Sequence, residues 1–103
     1  MNELEPLRRA SLRWSLLLAL HKARPYSTSE VLLTEVARAI YPDATPLEVR
    51  QELDYLEDSA LLTVTRQPSG QWFADLNAAG VDLVEYTTTD MPGIARPVRY
   101  WRT

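Results

Sequence analysis

The apolar residues between positions 4 and 22 recur at helical spacing and surround most of the helix that they predict. One stripe of this helix consists of Leu7, Trp14, Leu17, Leu18 and His21. A helix that is apolar on most faces is buried on most faces. It is therefore either the central core helix of a monomer or a helix that packs against both its own domain and a second chain. We expect the second arrangement, which makes the stripe a predicted homodimer interface.

Two capping patterns predict the next two helices. Ser27 is followed three residues later by Glu30, which is the spacing of a capping box, and the helix after it is predicted to end near residue 40. Thr45 and Glu48 form a second box after a short turn. Pro46 stands at its first helical position, where the missing N–H of proline costs nothing. This third helix is predicted to end near residue 59.

A β-hairpin and a last helix are predicted from the second half of the chain. Apolar and polar residues alternate over 61–66, a turn follows at 67–70, and residues 72–76 return as the second strand. Asn77 is predicted to cap a helix that ends near residue 86. The tail, residues 87–103, contains Tyr100 and Trp101, which we expect to pack on the domain or on a second subunit. Both residues are therefore added to the predicted dimer interface.

The order of these elements is that of a winged helix-turn-helix domain. Residues 49–62, VRQELDYLEDSALL, resemble the V-x-x-x-L-x-x-L-E-x-x-G-L-L pattern of MarR-, PadR- and ArsR-type regulators. Residues 76–84, LNAAGVDLV, are similar to the L-T-x-x-G-x-x-L segment that follows the wing in those families. The resemblance covers about residues 27–86. The tail segment PGIARP also resembles small winged-helix proteins encoded in transposable phages and prophages.

The resemblance implies a mainly α fold with a small β-hairpin, in one winged-helix domain over residues 1–103. Within it we expect an N-terminal helix (1–24), a helix-turn-helix (27–59), a wing (61–76), a C-terminal helix (77–86) and an extended tail (87–103). The implied function is DNA binding by a small transcriptional regulator. The chain departs from the family pattern in that Ser59 or Ala60 stands where a glycine is usual, and in its acidic third helix.

Composition excludes several other classes of protein. Apolar residues make up 46% and charged residues 24% of the 103 residues, which is typical of a globular domain. The absence of cysteine excludes disulfides, cysteine-ligated metals and thiol catalysis, and His21 is the single histidine. We therefore expect no enzyme activity, no metal and no cofactor. The longest apolar run covers residues 16–20, too short for a membrane span, and the first nine residues lack the order of a signal peptide, so we expect a cytoplasmic protein.

The net charge of −3 is unevenly distributed along the chain. Residues 1–24 carry a net charge of +3, residues 25–93 carry −9, and residues 94–103 carry +3. These charges either solvate a helical surface or allow the basic ends to meet nucleic acid, a partner protein or the acidic middle of a second copy.

If the third helix and the wing bind DNA, their leading residues are the candidates. The predicted DNA-binding residues are Thr45, Leu47, Arg50, Gln51, Arg66 and Gln71. Thr45 suits a phosphate, Arg50 a guanine and Gln51 an adenine. The alternative for Arg50 is a solvated pair with Asp54 at i+4. Two cations per protomer predict weak and salt-sensitive binding to double-stranded DNA.

A second interpretation uses the same fold without DNA. The third helix carries five acidic residues and one arginine, so it suits docking on a basic partner protein. The position of the basic ends discriminates between the two hypotheses. Basic termini that fold beside residues 45–51 favour DNA, whereas acidic surroundings favour a protein-interaction module.

Overall fold

The computed structural model describes residues 4–99, which form four helices and three strands. In chain order these are α1 (Leu4–Ala23), β1 (Thr28–Ser29), α2 (Glu30–Ile40), α3 (Pro46–Asp58), β2 (Leu62–Arg66), β3 (Trp72–Leu76) and α4 (Ala78–Val84). The α+β class predicted from the sequence is confirmed. Tyr100 and Trp101 lie outside the described residues, so their predicted packing stays a prediction.

The three strands form one antiparallel sheet in the order β1-β3-β2. The predicted hairpin is present, with Leu62 opposite Leu76 and Arg66 opposite Trp72. Strand β1 was not predicted, since two residues are too few to show an alternating pattern. It pairs Thr28 with Ala74 and so attaches the start of α2 to the hairpin.

Helix α1 is the central helix of the described protein. It packs against α2, α3, α4 and β3. The side chains of Leu12, Leu16 and Leu17 are completely buried, and Trp14 is 8% exposed. The broad apolar surface of α1 is therefore explained mainly by burial within one protomer. No helix among residues 4–99 is long and apolar enough to cross a membrane.

The helix caps agree with the prediction in part. Thr45 accepts a hydrogen bond from the backbone N–H of Glu48, and Asn77 accepts one from Gly80, as predicted. The cap predicted at Ser27 is wrong: Ser29 is the N-cap of α2, and the Ser27 hydroxyl donates to Asp75 instead. Pairing of Thr28 with β3 holds this segment extended for two more residues, so α2 begins later than predicted.

Helix α3 ends in a Schellman motif that uses alanine in place of glycine. The N–H of Ala60 donates to the Glu57 carbonyl, and the N–H of Leu61 donates to that of Leu56. Ala60 adopts a φ of +61°, in the left-handed region that glycine usually occupies in this motif. The chain therefore makes the turn expected between α3 and β2 at the cost of backbone strain at Ala60.

Candidate binding face on α3 and the hairpin

The outer side of α3 and the adjoining hairpin form an exposed surface that we call the α3–hairpin face. Its residues are Thr45, Leu47, Arg50, Gln51, Asp54, Asp58, Arg66 and Gln71. The inner side of α3 buries Val49, Leu53 and Leu56 in the core, which orients this outer side to solvent. Thr45, Leu47 and Gln51 are exposed, and Leu47 is exposed by 65%. The leading turns of α3 are thus accessible.

Arg50 is bound within the protomer by Glu30, the first residue of α2. Its Nε donates to Glu30 Oε1 over 2.6 Å, and its Nη2 donates both to Glu30 Oε2 and to the Gly70 carbonyl over 2.7 Å. The guanidinium lies 4.5 Å from the centre of the Trp72 ring. The alternative expectation, a pair with Asp54, is therefore wrong, because a nearly buried carboxylate binds two donors of Arg50 at once. Two nitrogens of the guanidinium are therefore occupied within the protomer, and a bidentate contact to guanine also needs two donors of this group.

Glu30 also binds the hairpin directly. It is 8% exposed, and its Oε2 accepts the backbone N–H of Trp72 over 2.7 Å. The hydrogen bonds from Arg50, and then that from Trp72, hold the pKa of Glu30 below its ordinary value, while burial opposes them. The same pair raises the pKa of Arg50. Glu30 was predicted to cap its own helix, and the structure instead makes it the link between α2, α3 and β3.

Arg66 is neutralised in a similar way. Its Nη2 donates to Asp54 over 2.6 Å and to Glu57 over 3.1 Å. The guanidinium lies 4.3 Å from the centre of the Trp72 ring, so both arginines of the face stack on one indole. Glu57 also accepts the backbone N–H of Val64, and this bond, followed by that from Arg66, lowers its pKa. Gln71 is engaged as well, since its amide donates to the Ser29 hydroxyl over 3.1 Å.

The basic residues of α1 neutralise the opposite flank of α3. Arg8 binds Glu48 and Asp43, each over 2.9 Å, and Arg13 binds Glu52 over 2.6 Å. The Arg13–Glu52 pair is nearly buried, with 11% and 4% of the side chains exposed. Glu48 therefore contacts Arg8 rather than its own N-cap, contrary to the prediction. The basic N-terminal segment lies beside α3 but contributes no unpaired cation to its leading turns through Arg8 or Arg13.

Two of the basic residues after position 94, Arg96 and Arg99, lie at the end of α4. Arg96 donates to the carbonyls of Leu83 and Thr88, and Arg99 donates to the carbonyl of Glu85. Both guanidinium groups lie over the ring of Tyr86, at 4.4 and 5.0 Å. These two cations thus satisfy carbonyls near the C-terminus of α4, which is a favourable place for positive charge.

The predicted dimer residues are separated by the fold. Trp14 and Leu17 belong to the core of the protomer, and Leu18 packs against that core while partly buried. His21 lies 2.8 Å from a carboxylate oxygen of Glu85. Leu7 is 64% exposed and is thus the one residue of the predicted stripe, among residues 4–99, with a largely exposed side chain.

Comparison with protein-family models gives no match for the chain, and neither the curated proteins nor the solved structures contain a significant match. The functional interpretation therefore depends on the geometry and charge of the chain itself.

Proposed function

We propose that the chain is a winged-helix domain that acts as a protein-interaction module through the α3–hairpin face. The winged-helix assignment is supported by the order of the elements and by the short connection, residues 41–45, between α2 and α3. It is also supported by the position of the hairpin, whose turn residue Gly70 accepts a hydrogen bond from Arg50 on α3. The small antiparallel sheet in the order β1-β3-β2 is compatible with such a domain.

We prefer a protein partner to DNA because of one observation: both arginines of the face are bound to carboxylates of the same protomer. Nucleic-acid affinity comes largely from cations that neutralise phosphates, and specific binders commonly make six to ten such contacts. Arg50 and Arg66 are the only cations of the face among the described residues, and Glu30, Asp54 and Glu57 bind them. Together with Asp58, these groups have a net charge of −2.

Apolar side chains are exposed at the start of α3, where a DNA-binding helix would present cations. Leu47 of the face is 65% exposed at the start of α3, and Val31, which lies outside the face at the start of α2, is 60% exposed. A groove of about 200 Å³ separates the two helices there and is lined by Glu30, Val31, Thr34, Glu35, Arg38 and Pro46. An apolar centre within a net negative surface suits a protein segment that combines an apolar side chain with Lys or Arg.

Sequence-specific DNA binding by a homodimer is the second candidate function. It is favoured by the exposure of Thr45 and Gln51 on the leading turns of α3, where backbone N–H groups can receive a phosphate oxygen. For this function Arg50 would have to exchange Glu30 for DNA. Under this second candidate function, two cations per protomer would give weak binding to DNA, and Arg50→Ala would weaken it further.

A random-peptide display library, selected on the immobilised full chain, tests the proposed function. We expect enriched peptides that contain both basic and apolar residues, with binding lost in Leu47→Asp. The matched control is Val98→Asp, which changes another apolar residue, 72% exposed, in the tail. Acidic peptides, or equal binding by Leu47→Asp and the wild type, would contradict the proposal.

Fluorescence anisotropy with a random-sequence duplex, measured from low to physiological salt, tests the second candidate. We expect no saturable binding at low salt. Saturable binding that weakens in Arg50→Ala would overturn the protein-interaction proposal in favour of DNA.

A further inference from the structure

A second exposed surface lies at the N-terminal end of α1, and none of its lining residues belongs to the α3–hairpin face. It is a groove of about 540 Å³, lined by Leu4, Glu5, Leu7, Arg8, Ser11, Tyr41 and Asp43. Leu4, Leu7 and Ser11 follow one another at i, i+3 and i+7, so they form one stripe of the helix. Leu4 is 69% and Leu7 64% exposed, whereas the apolar residues Leu12, Leu16 and Leu17 of the same helix are completely buried.

The walls of this α1 groove are held in place by Arg8. Its guanidinium binds Asp43 and Glu48, each over 2.9 Å, and lies 4.6 Å from the centre of the Tyr41 ring. The groove is therefore formed before any partner arrives. Because Arg8 is already neutralised, the floor offers apolar contact rather than an anion site. The charged residues of the lining, Glu5, Arg8 and Asp43, have a net charge of −1. Glu5 also lies 3.3 Å from Arg9 and Asp43 is bound by Arg8, but 51% and 76% of these two acidic side chains are exposed to a further cation.

The occupant of such a groove needs an apolar side chain followed by a cation on the same face. The C-terminal half of α1 itself provides this arrangement. Leu18 and Lys22 are separated by four residues and continue the stripe of Leu4, Leu7 and Ser11. Leu18 is partly buried, and Lys22 is exposed.

We infer that the α1 groove binds a second copy of this chain, with the two α1 helices antiparallel about a two-fold axis near Ser11 and Ser15. Leu18 of one copy then lies against Leu7 of the other, and Lys22 of one copy lies near Glu5 and Asp43 of the other. Both contacts occur twice, because a two-fold axis repeats each of them. A parallel arrangement would place Lys22 beside Lys22 instead. The small side chains of Ser11 and Ser15 allow the helices to approach where they cross.

This inference does not depend on the proposed function, because it concerns a different surface. It also revises the dimer predicted from the sequence, whose interface residues were Leu7, Trp14, Leu17, Leu18, His21, Tyr100 and Trp101. Here Leu7 and Leu18 are retained, and Leu4, Ser11 and Lys22 replace Trp14, Leu17 and His21; Tyr100 and Trp101 lie outside the described residues.

Sedimentation equilibrium over a wide concentration range tests the inference with the full chain. We expect a monomer–dimer equilibrium in the wild type and a monomer in Leu7→Asp, with unchanged circular dichroism because Leu7 contributes little to the core. Val98→Asp, the matched exposed position, should dimerise as the wild type does. A wild type that stays monomeric at the highest concentration, or a Leu7→Asp variant that still dimerises, would overturn the inference.

Charge reversal tests the antiparallel arrangement. Glu5→Lys and Lys22→Glu should each weaken dimerisation by about tenfold, whereas Arg24→Glu, which lies beyond the end of α1, should leave it unchanged. The double variant Glu5→Lys/Lys22→Glu should restore it. Within one α1 helix these two residues are about 25 Å apart, so restoration must come from contact between copies. A double variant no stronger than either single variant would exclude this geometry.

Discussion

Replacing Glu30 by glutamine is the substitution that most directly tests how α2, α3 and the hairpin are joined. The carboxylate accepts one hydrogen bond from the backbone of Trp72 and two from Arg50, and it is 8% exposed. Glutamine has nearly the same shape, but it carries no charge and turns an NH₂ group toward one of these donors. The variant should therefore fold but lose stability.

The expected loss comes mainly from the Trp72 contact. A hydrogen bond to a charged acceptor contributes about 1.5–3 kcal/mol, and a buried N–H left without a partner costs a similar amount. The ion pair between Arg50 and Glu30 contributes less to stability, because 36% of the Arg50 side chain is exposed and water can replace the carboxylate as its partner. We expect a loss of about 2 kcal/mol, which lowers Tm by roughly 10 °C in a domain of this size.

Thermal and urea unfolding, followed by circular dichroism, measure this loss. The matched control is Glu35→Gln on the same helix, whose exposed carboxylate lies 3.6 Å from Arg38 and should shift Tm by no more than about 2 °C. Equal effects of the two substitutions would refute the role assigned to Glu30.

The pH dependence of stability, compared between the wild type and Glu30→Gln, is an independent test of the role of Glu30. The pKa of Glu30 is lower in the folded protein than in the unfolded chain, where it is about 4.3. Its carboxylate therefore stabilises the fold above that pH, and this contribution disappears as pH falls through the folded-state pKa. The stability difference between wild type and Glu30→Gln should shrink as the solution is acidified below about pH 4.3. A difference that stays constant down to pH 2 would contradict the mechanism.

Three further substitutions test local features of the fold by urea unfolding. Ala60→Gly should stabilise the protein by about 0.5–1 kcal/mol, because glycine adopts the left-handed backbone conformation without strain. The control, Ala39→Gly inside α2, should destabilise the protein by about as much. A loss of stability in Ala60→Gly would show that the turn is not strained. Gly80→Ala should cost at least about 2 kcal/mol, because the added Cβ would collide with the Leu61 carbonyl; a neutral result would place α4 farther from that turn. Thr45→Ala should cost about 1 kcal/mol by removing the N-cap of α3, and an unchanged stability would mean that water replaces the cap.

Sequence reasoning predicted best the elements in which apolar residues recur at a regular spacing over most of their length. Helices α2 and α3 place apolar residues at helical spacing, and β2 alternates apolar and polar residues before a turn, so their spans followed from local patterns. The start of α2 did not, because Ser27, Thr28 and Ser29 are equally good capping residues in sequence. The contact that decides between them is the pairing of Thr28 with Ala74, which is 46 residues distant.

The charges of the candidate site were harder to predict for a similar reason. Local rules pair Arg50 with Asp54 one turn later, and that rule holds for helices in solvent. In the folded chain Arg50 instead binds Glu30, twenty residues earlier. Glu30 is nearly buried and Asp54 is exposed, and a carboxylate without a cation costs more free energy when it is desolvated. Only the packing of α2 against α3 brings this pair together, and the capping-box spacing of Glu30 suggested a different role.

The distribution of charge along the sequence therefore does not predict the electrostatic field at the surface of the folded protein. The basic N-terminal segment suggested a cationic surface for nucleic acid, but Arg8 and Arg13 bind the carboxylates of α3. Arg96 and Arg99 bind backbone carbonyls near the end of α4. On the leading turns of α3 these pairs leave Thr45, Leu47 and Gln51 accessible, in a net negative surrounding. A protein segment with complementary charge gains from this surface without first breaking an ion pair, whereas a phosphate backbone would have to displace a carboxylate for each cation it gained.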